Sequence, residues 1–265
     1  MSLVYTCISA HTPLLMPTIS KENIVLLEKT QKGMRKLEQN LYLAQPETLL
    51  VISSHGDILP DAVTLNANPE YVTNFEEFGD LVTKTRWKAD FMLIDRIRED
   101  FKIKHLPLAL MSSEALDYGT SVPLWYLSGH LPQPKIAPLL TSSGLDLKAH
   151  YQIGQELKDE LLSSTKRIAI IASADLSHRA GPQSPAGYSP RGEELDAKII
   201  ELIEKNQLKS IIDIDAAWID EAKACSMNVL AVMAGIMDYQ VHQTEIISYE
   251  KPFGVGYLVA GMRIV

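Results

Sequence analysis

Three of the seven histidines in this 265-residue chain follow short apolar runs at equivalent places. His11, His55 and His178 each stand within a few residues of the end of such a run. Imidazole is the commonest transition-metal ligand at neutral pH, and its ordinary pKa also suits proton transfer. Two histidines and one anionic ligand leave positions open on a metal ion for a substrate. The pattern therefore predicts a catalytic metal site, with the third histidine available to move protons.

Other site chemistries have weaker support in the sequence. Ser54 and Ser177 each precede a histidine, but adjacent residues rarely form a nucleophile and its base, and the chain has no Gly-x-Ser-x-Gly turn. It also lacks Gly-x-Gly-x-x-Gly and the phosphate-binding Gly-Lys-Ser/Thr loop, so a nucleotide cofactor is not indicated. The remaining histidines are interpreted as surface or capping residues. They are His105, His130, His150 and His242.

The apolar runs alternate with segments of helical periodicity, which predicts an α/β fold. We expect a single domain, residues 1–265, with one central, mostly parallel sheet and helices on both faces. The predicted strands are Leu3–Ser9, 49–52, 62–65, Lys135–Leu140, 167–172, 245–249 and 254–264. The predicted helices are 23–43, 89–101, one beginning near residue 121, 151–163, 193–205 and 224–237.

This fold places the three histidines at one edge of the sheet. Parallel strands end on the same side, and ligands of open α/β sheets bind in the crevice beyond those ends. We therefore expect His11 and His55 to share one metal ion, with His178 in the same pocket and oriented by a neighbouring polar group such as Asp175. The long loop 179–192 is expected to border the pocket, with Tyr188 pointing towards it.

Composition and charge narrow the class of protein. The formal net charge is −8 and the sequence pI is near 5.4, which is the wrong sign for binding a phosphate backbone. Two cysteines are too few for a disulfide framework and favour a reducing, cytoplasmic setting. No apolar run approaches the roughly 18 residues that span a bilayer, and we expect neither an export signal nor a membrane anchor.

Six ordered segments carry a family resemblance. They are residues 9–15, 52–56, 117–124, 172–179, 185–188 and 249–257, which include Ser-Ala-His-Thr-Pro, Ser-Ser-His-Gly, Ser-Ala-Asp-Leu-Ser-His-Arg and Lys-Pro-Phe-Gly-Val-Gly-Tyr. In these segments the chain resembles the class III extradiol ring-cleavage dioxygenase superfamily, in which the catalytic subunit of protocatechuate 4,5-dioxygenase is found. Within it, the chain is most similar to the Memo-like branch called AmmeMemoRadiSam system protein B.

The resemblance implies an oxidoreductase that opens a small catechol-type aromatic with dioxygen. It implies a divalent metal, Fe(II) before Zn or Cu, held by His11 and His55, with His178 as the acid–base residue. Tyr118 stands where this branch often has a histidine, and it is expected to hydrogen-bond the substrate. The resemblance further implies AMMECR1-type or radical-SAM partner proteins. The sequence leaves open whether the chain forms a homo-oligomer.

The third metal ligand is not fixed by the resemblance. Related chains usually have Glu-Cys-Gly before the methionine-rich helix, whereas this chain has Ala224-Cys225-Ser226. Cys225 and Glu221 are the candidates, and they would share one helix face if the predicted helix extended back to residue 221. Cys225 is preferred because it aligns with a thiolate position of Memo-like relatives. Glu221 would offer the hard oxygen donor that suits Fe(II).

Two other functions remain open at this stage. A Memo-like protein would use the same pocket to bind a metal or another ligand without cleaving a ring. A metal-assisted hydrolase would also suit a histidine-rich site with an open metal position. The fold alone does not choose among the three functions.

Overall fold

The computed structural model describes residues 2–265, which form a mixed α/β fold. Its strands are β1 (Leu3–Ser9), β2 (Thr48–Ser53), β3 (Val63–Asn66), β4 (Glu70–Thr73), β5 (Arg86–Lys88), β6 (Leu108–Met111), β7 (Ala115–Leu116), β8 (Lys135–Leu140), β9 (Ile168–Ser173), β10 (His242–Glu250) and β11 (Tyr257–Ile264).

The helices connect these strands. They are α1 (Pro17–Ser20), α2 (Glu28–Ala44), α3 (Phe91–Ile103), α4 (Tyr118–Leu127), α5 (Leu147–Leu162), α6 (Pro190–Glu204), α7 (Ala216–Ala222) and α8 (Met227–Ile236). Short 3₁₀ helices lie at Pro13–Leu15, Lys21–Leu27, Glu76–Phe78 and Leu208–Asp213. Across residues 2–265, no helix combines the length and the apolar character that crossing a bilayer requires.

Eight strands form one large sheet in the order β10-β11-β1-β9-β2-β8-β3-β6. The pairs β1–β9, β9–β2, β2–β8 and β3–β6 are parallel, and the other three pairs are antiparallel. The expectation of a mostly parallel sheet is confirmed. Every residue of β1, β2 and β9 is buried, as expected for central strands whose sequences are apolar at nearly every position. Helix α2 packs on β1, β10 and β11, whereas α8 packs on β2 and β9.

The three central parallel strands end together. Ser9 of β1 is paired with Ser173 of β9, and Ile52 of β2 is paired with Ala172 of the same strand. The residues that follow β1, β2 and β9 therefore leave the sheet side by side at its carboxyl edge. This register brings the three histidine-bearing segments to one place.

A second, three-stranded sheet was not predicted. It has the order β5-β4-β7, and its strands are only two to four residues long. Such short strands give little alternation of apolar and polar residues. Tyr71 and Trp87 are paired across β4 and β5 and are both buried. The hairpin between β4 and β5 carries Phe78, whose ring packs edge-on against Tyr118, with centroids 5.4 Å apart.

The helix predicted at 224–237 is shorter than expected, and it does not extend back to residue 221. Helix α7 ends at Ala222, Lys223 adopts a left-handed conformation (φ 51°), and α8 begins only at Met227. Glu221 and Cys225 therefore lie on opposite sides of a turn and do not share a helix face. A left-handed residue ends a helix because the next amide no longer continues its hydrogen-bond pattern.

Candidate metal centre

His11 and His55 meet beyond the ends of β1 and β2. Their Nε2 atoms lie 3.0 Å apart, and the two rings are nearly perpendicular. One ligand atom each from His11, His55 and Cys225 all lie within 4.8 Å of one another. We call these three residues the ligand cluster. Strands β1 and β2, which lie on either side of β9, supply the two histidines, and the loop before α8 supplies the cysteine.

Hydrogen bonds select the tautomer of His11. The Ser173 hydroxyl donates its only hydrogen to the Gly119 carbonyl, so it accepts from His11 Nδ1–H across 3.0 Å. The lone pair of His11 then lies on Nε2, which faces His55. A hydrogen bond at the far nitrogen is the usual way in which proteins orient a metal-binding imidazole.

His55 is packed against Tyr118. The Tyr118 hydroxyl lies 2.9 Å from His55 Nδ1 and 3.3 Å from His55 Nε2, and the two rings are tilted by 33° with centroids 4.3 Å apart. An oxygen this close to both nitrogens lies over the imidazole ring and does not select a tautomer. The close approach depends on Gly119, because a Cβ there would overlap the Ser53 hydroxyl and the His55 ring. Tyr118, expected to contact a substrate, thus makes its contact with a cluster histidine.

Burial keeps both histidines neutral. Burial first and the charge of nearby His178 second lower the pKa of His11 to about 3. Burial lowers the pKa of His55 to about 3 as well, with the proximity of His11 and then His178 as the next causes. A neutral imidazole is the form that binds a metal ion. Two neutral Nε2 atoms this close together could both donate their lone pairs to one cation.

Cys225 is partly buried and lies beside Ser226. Its Sγ is 3.3 Å from the Ser226 hydroxyl and 3.9 Å from the Asp175 carbonyl oxygen. Burial raises the pKa of this thiol to about 11, with the nearby Asp175 carboxyl as the second cause. Without a metal, Cys225 is therefore a neutral thiol at pH 7. Metal binding would release its proton.

Glu221, the other candidate for third ligand, points elsewhere. The Ser189 hydroxyl donates to Glu221 Oε1 at 3.0 Å, and Arg191 Nε lies 3.8 Å from Oε2. These contacts hold the carboxylate at the start of α6. The left-handed turn at Lys223 separates it from the ligand cluster.

Asp175 contacts His11 rather than His178. Its Oδ1 accepts the His11 backbone N–H at 2.9 Å, and its Oδ2 lies 3.6 Å from His11 Nε2. Burial raises the pKa of this carboxyl. The charge of His178 also acts on this carboxyl and lowers its pKa, so an orienting role of Asp175 for His178 stays a prediction. The Asp175 oxygens lie next to the ligand cluster.

His178 is oriented by a backbone carbonyl. Its Nδ1 donates to the Lys223 carbonyl at 3.0 Å, and its backbone N–H donates to the Ala222 carbonyl at 3.2 Å. The proton on Nδ1 leaves the Nε2 lone pair free to take up a proton. His178 is close enough to His11 and His55 for its charge to lower the pKa of both.

A cavity of about 640 Å³ borders Cys225. Its apolar lining includes Leu147, Ile212, Ile219 and Met227. This volume lies within the range of small-molecule sites. Neither His11, His55 nor His178 lines it, so this cavity adjoins the cysteine of the ligand cluster without enclosing the histidines.

One known protein family matches almost the whole chain. The model of the catalytic LigB subunit of aromatic ring-opening dioxygenase matches residues 5–260. The chain belongs to the LigB family. The match extends over nearly all of the residues that form the large sheet and the ligand cluster.

Individual LigB-like relatives are distant. Protein CA_C1420 of Clostridium acetobutylicum is 25% identical over 256 residues, covering 93% of this chain and 54% of the relative. The 4,5-DOPA dioxygenase extradiol of Mirabilis jalapa is 22% identical over 172 residues, 63% of each protein. The chain thus spans between half and two thirds of the length of these relatives. The crystal structure of an uncharacterized Escherichia coli K12 protein, JW3007, superposes with a TM-score of 0.69 at 14% identity, covering 97% of this chain and 99% of that one.

Tyr188 is 47% exposed in the loop before α6. Arg179 Nε donates to the neighbouring Gly187 carbonyl at 2.9 Å, which braces this part of the loop. Further back, the Ser184 hydroxyl and the Ala180 amide both donate to the Gly254 carbonyl. The loop is therefore fixed to the strand connection next to β11. A contact between Tyr188 and a LigB-type ligand stays a prediction.

Sequence reasoning missed two groups that orient the histidines. Ser173 ends β9 at the same edge as the histidines, so its position in the strand could have indicated its role. The Lys223 carbonyl could not have been found, because every residue has one and only the left-handed turn directs it to His178.

Proposed function

We propose that this LigB-family protein is a metal-dependent oxidoreductase of the extradiol type, acting on a small catechol-type aromatic with dioxygen. The observation that carries the proposal is the ligand cluster, in which two neutral Nε2 atoms and one thiol face one another at the carboxyl edge of the sheet. Membership of a family of ring-opening dioxygenases supports the same reaction class.

The residues fit a divalent cation. Two nitrogens 3.0 Å apart can share one ion at bond lengths of about 2.0–2.1 Å. We propose His11, His55 and Cys225 as ligands of Fe(II), and a thiolate donor also suits Zn or Cu. When bound, the ion would supply Lewis-acid and redox chemistry to a chelating diol and dioxygen.

The side chains around the cluster would manage protons and orientation. His178, with Nδ1 held by Lys223, would accept a phenolic proton at Nε2. Tyr118, which bridges His55 and Phe78, would set the face on which the ring lies.

A second function is favoured by the donor set. Ala224 stands where related chains usually have a glutamate, so the third donor of the cluster is the soft Cys225 thiolate, and the Tyr118 hydroxyl occupies space next to His55. Both features suit a Memo-like protein that binds a metal or another ligand and leaves aromatic rings intact.

Metal analysis followed by oxygen uptake separates the two functions. The chain is purified without oxygen, its metal content is measured, and a panel of catechols is added with dioxygen. Iron together with catechol-dependent uptake supports the dioxygenase. Copper or zinc, with no uptake even after reconstitution with Fe(II), supports the binding protein. The His11→Ala variant is the control, because uptake that persists in it does not come from this site.

A further inference from the structure

Asp196 is a fully buried carboxyl that belongs to no metal cluster. It lies on α6, behind the segment that carries Asp175 and His178. Its Oδ1 accepts the Ser177 backbone N–H at 2.9 Å, and its Oδ2 accepts the Tyr249 hydroxyl at 2.7 Å. A buried carboxylate costs free energy even when it is hydrogen-bonded. Because Asp196 accepts a hydrogen bond from the backbone next to His178, this free-energy cost can be linked to the position of His178.

Two glycines allow α6 and the strand connection to close around this carboxyl. A Cβ at Gly256 would overlap Asp196 Oδ2, and a Cβ at Gly192 would overlap the Ser177 hydroxyl. The Gly256 N–H in turn donates to the Ser177 carbonyl at 2.9 Å. The backbone at Ser177 is therefore fixed by Asp196 on one side and by Gly256 on the other.

The opposite side of the same segment rests on the end of α7. The Ser177 hydroxyl donates to the Ala222 carbonyl at 2.8 Å, and that carbonyl also accepts the His178 N–H. The Lys223 carbonyl then accepts His178 Nδ1–H. The His178 imidazole keeps this orientation only while the Ser177 backbone holds its position between Asp196 and the end of α7.

We propose that Asp196 is a positioning residue, whose carboxylate holds the Ser177 amide and thereby keeps His178 on the Lys223 carbonyl with Nε2 free. This inference rests on the proposed acid–base role of His178. Asp196 acts entirely through the backbone and touches none of the three ligand residues.

The charge on Asp196 depends on pH in the neutral range. Burial raises the pKa of Asp196 to about 7, while hydrogen bonds from Tyr249 and Ser177 and the charge of Lys251 pull it down. Glu193 on the same helix raises it and pairs with Lys251 at 2.6 Å. Protonation near neutral pH removes the charge that strengthens the bond to the Ser177 amide.

Imidazole nitrogen-15 shifts of the full chain loaded with Zn(II) provide the test. At pH 8 the wild type should show His178 as the Nδ1–H tautomer, assigned by its loss in His178→Gln. Asp196→Asn should add a measurable Nε2–H population while Zn(II) affinity stays within a few-fold of wild type. Asp90→Asn is the matched control, because Asp90 is equally buried but caps α3 and contacts Thr48 at the opposite end of β2. It should leave the His178 signal unchanged.

Tyr249→Phe is a second variant that keeps the test usable if Asp196→Asn does not fold. It removes one hydrogen bond that lowers the Asp196 pKa, so the pH at which the His178 signal changes through Asp196 should move upward. Wild-type His178 signals in both variants, or an equal change in Asp90→Asn, would overturn the proposal.

Activity gives a separate readout. If catechol-dependent uptake is found, Asp196→Asn should lower kcat about 10- to 100-fold with little change in KM, and the pH profile should lose its limb near 7. An unchanged kcat and pH profile in that case would also overturn the proposal. If the wild type shows no uptake, the proposed oxidoreductase fails, while the His178 tautomer still decides the role of Asp196.

Discussion

Two neutral imidazoles with Nε2 atoms 3.0 Å apart form the centre of the ligand cluster. Replacing either His11 or His55 with Ala should remove bound metal while leaving the fold intact, because each supplies one donor and neither shapes a strand. Metal content after gel filtration, with circular dichroism as the check on folding, measures this. His130→Ala is the control, since that side chain is 80% exposed and pairs with Glu38. Full metal content in the double variant would place the site elsewhere.

His178 should separate proton transfer from metal binding. The His178→Ala variant should keep its metal and lose about 10²–10⁴-fold in turnover, the usual effect of removing a general acid–base group. The measurement is oxygen uptake per bound metal. A loss of metal as large as that in His11→Ala would instead make His178 a ligand.

Cys225 and Glu221 offer opposite outcomes for the third ligand. Cys225→Ser should weaken metal binding or shift its preference from zinc and copper towards iron, because an oxygen donor replaces a thiolate. Glu221→Gln should be nearly silent, since its carboxylate is held by Ser189 and Arg191. Competition titrations with Fe(II) and Zn(II) compare the variants. The reverse pattern would favour Glu221 and a harder donor set.

The break between α7 and α8 shows where sequence periodicity stops being informative. The methionine-rich pattern correctly indicates a helix at 227–236, but a turn set by one left-handed residue, Lys223, leaves no mark on apolar spacing. A similar limit applies to Lys21–Leu27, where the helical pattern from 23 to 43 begins as a 3₁₀ helix and becomes α2 only at Glu28. Local backbone conformation decides both boundaries.

The loop before α6 is part of the packed structure, and Gly254 makes this testable. Gly254 has φ +70°, and a Cβ there would overlap the backbone of Ser184. Gly79 has φ +82° with open space around it, so Gly79→Ala should cost only the left-handed penalty of about 1–2 kcal/mol. Gly254→Ala should cost at least about 1 kcal/mol more, because overpacking is added. Equal urea midpoints for the two variants would show that the loop at Ser184 can move to accommodate the added Cβ without a loss of stability.

Across the whole chain, the parts predicted well are those where burial leaves a pattern in the sequence. β1 and β8 have the predicted bounds because their apolar runs end abruptly at polar residues. The three-stranded sheet was missed because its strands are too short to show periodicity. The pairing of His11 with His55 follows from strand ends, whereas the contacts that orient the two rings come from Ser173 and Tyr118, which are distant in the sequence.

The last prediction concerns the stability of the whole fold and the carboxyl of Asp196. Its pKa is raised from 3.8 to about 7 in the folded chain, so the folded state holds a proton that the unfolded state has released over that range. The stabilisation is present below pH 4 and is lost as the pH rises through 7. Each pH unit is worth about 1.4 kcal/mol, which gives on the order of 4 kcal/mol in total.

Asp196→Asn should therefore lose less stability than the metal-free wild type between pH 4 and 8, because an amide does not titrate. Urea unfolding at intervals of one pH unit measures the difference. At pH 8 the wild type carries a buried charge that the variant lacks. The free energy of unfolding of the variant should therefore rise relative to that of the wild type as the pH increases. Parallel curves would mean that Asp196 titrates at its ordinary pKa. A converging or crossing pair would show that the chain keeps a carboxylate behind His178 at a cost in stability.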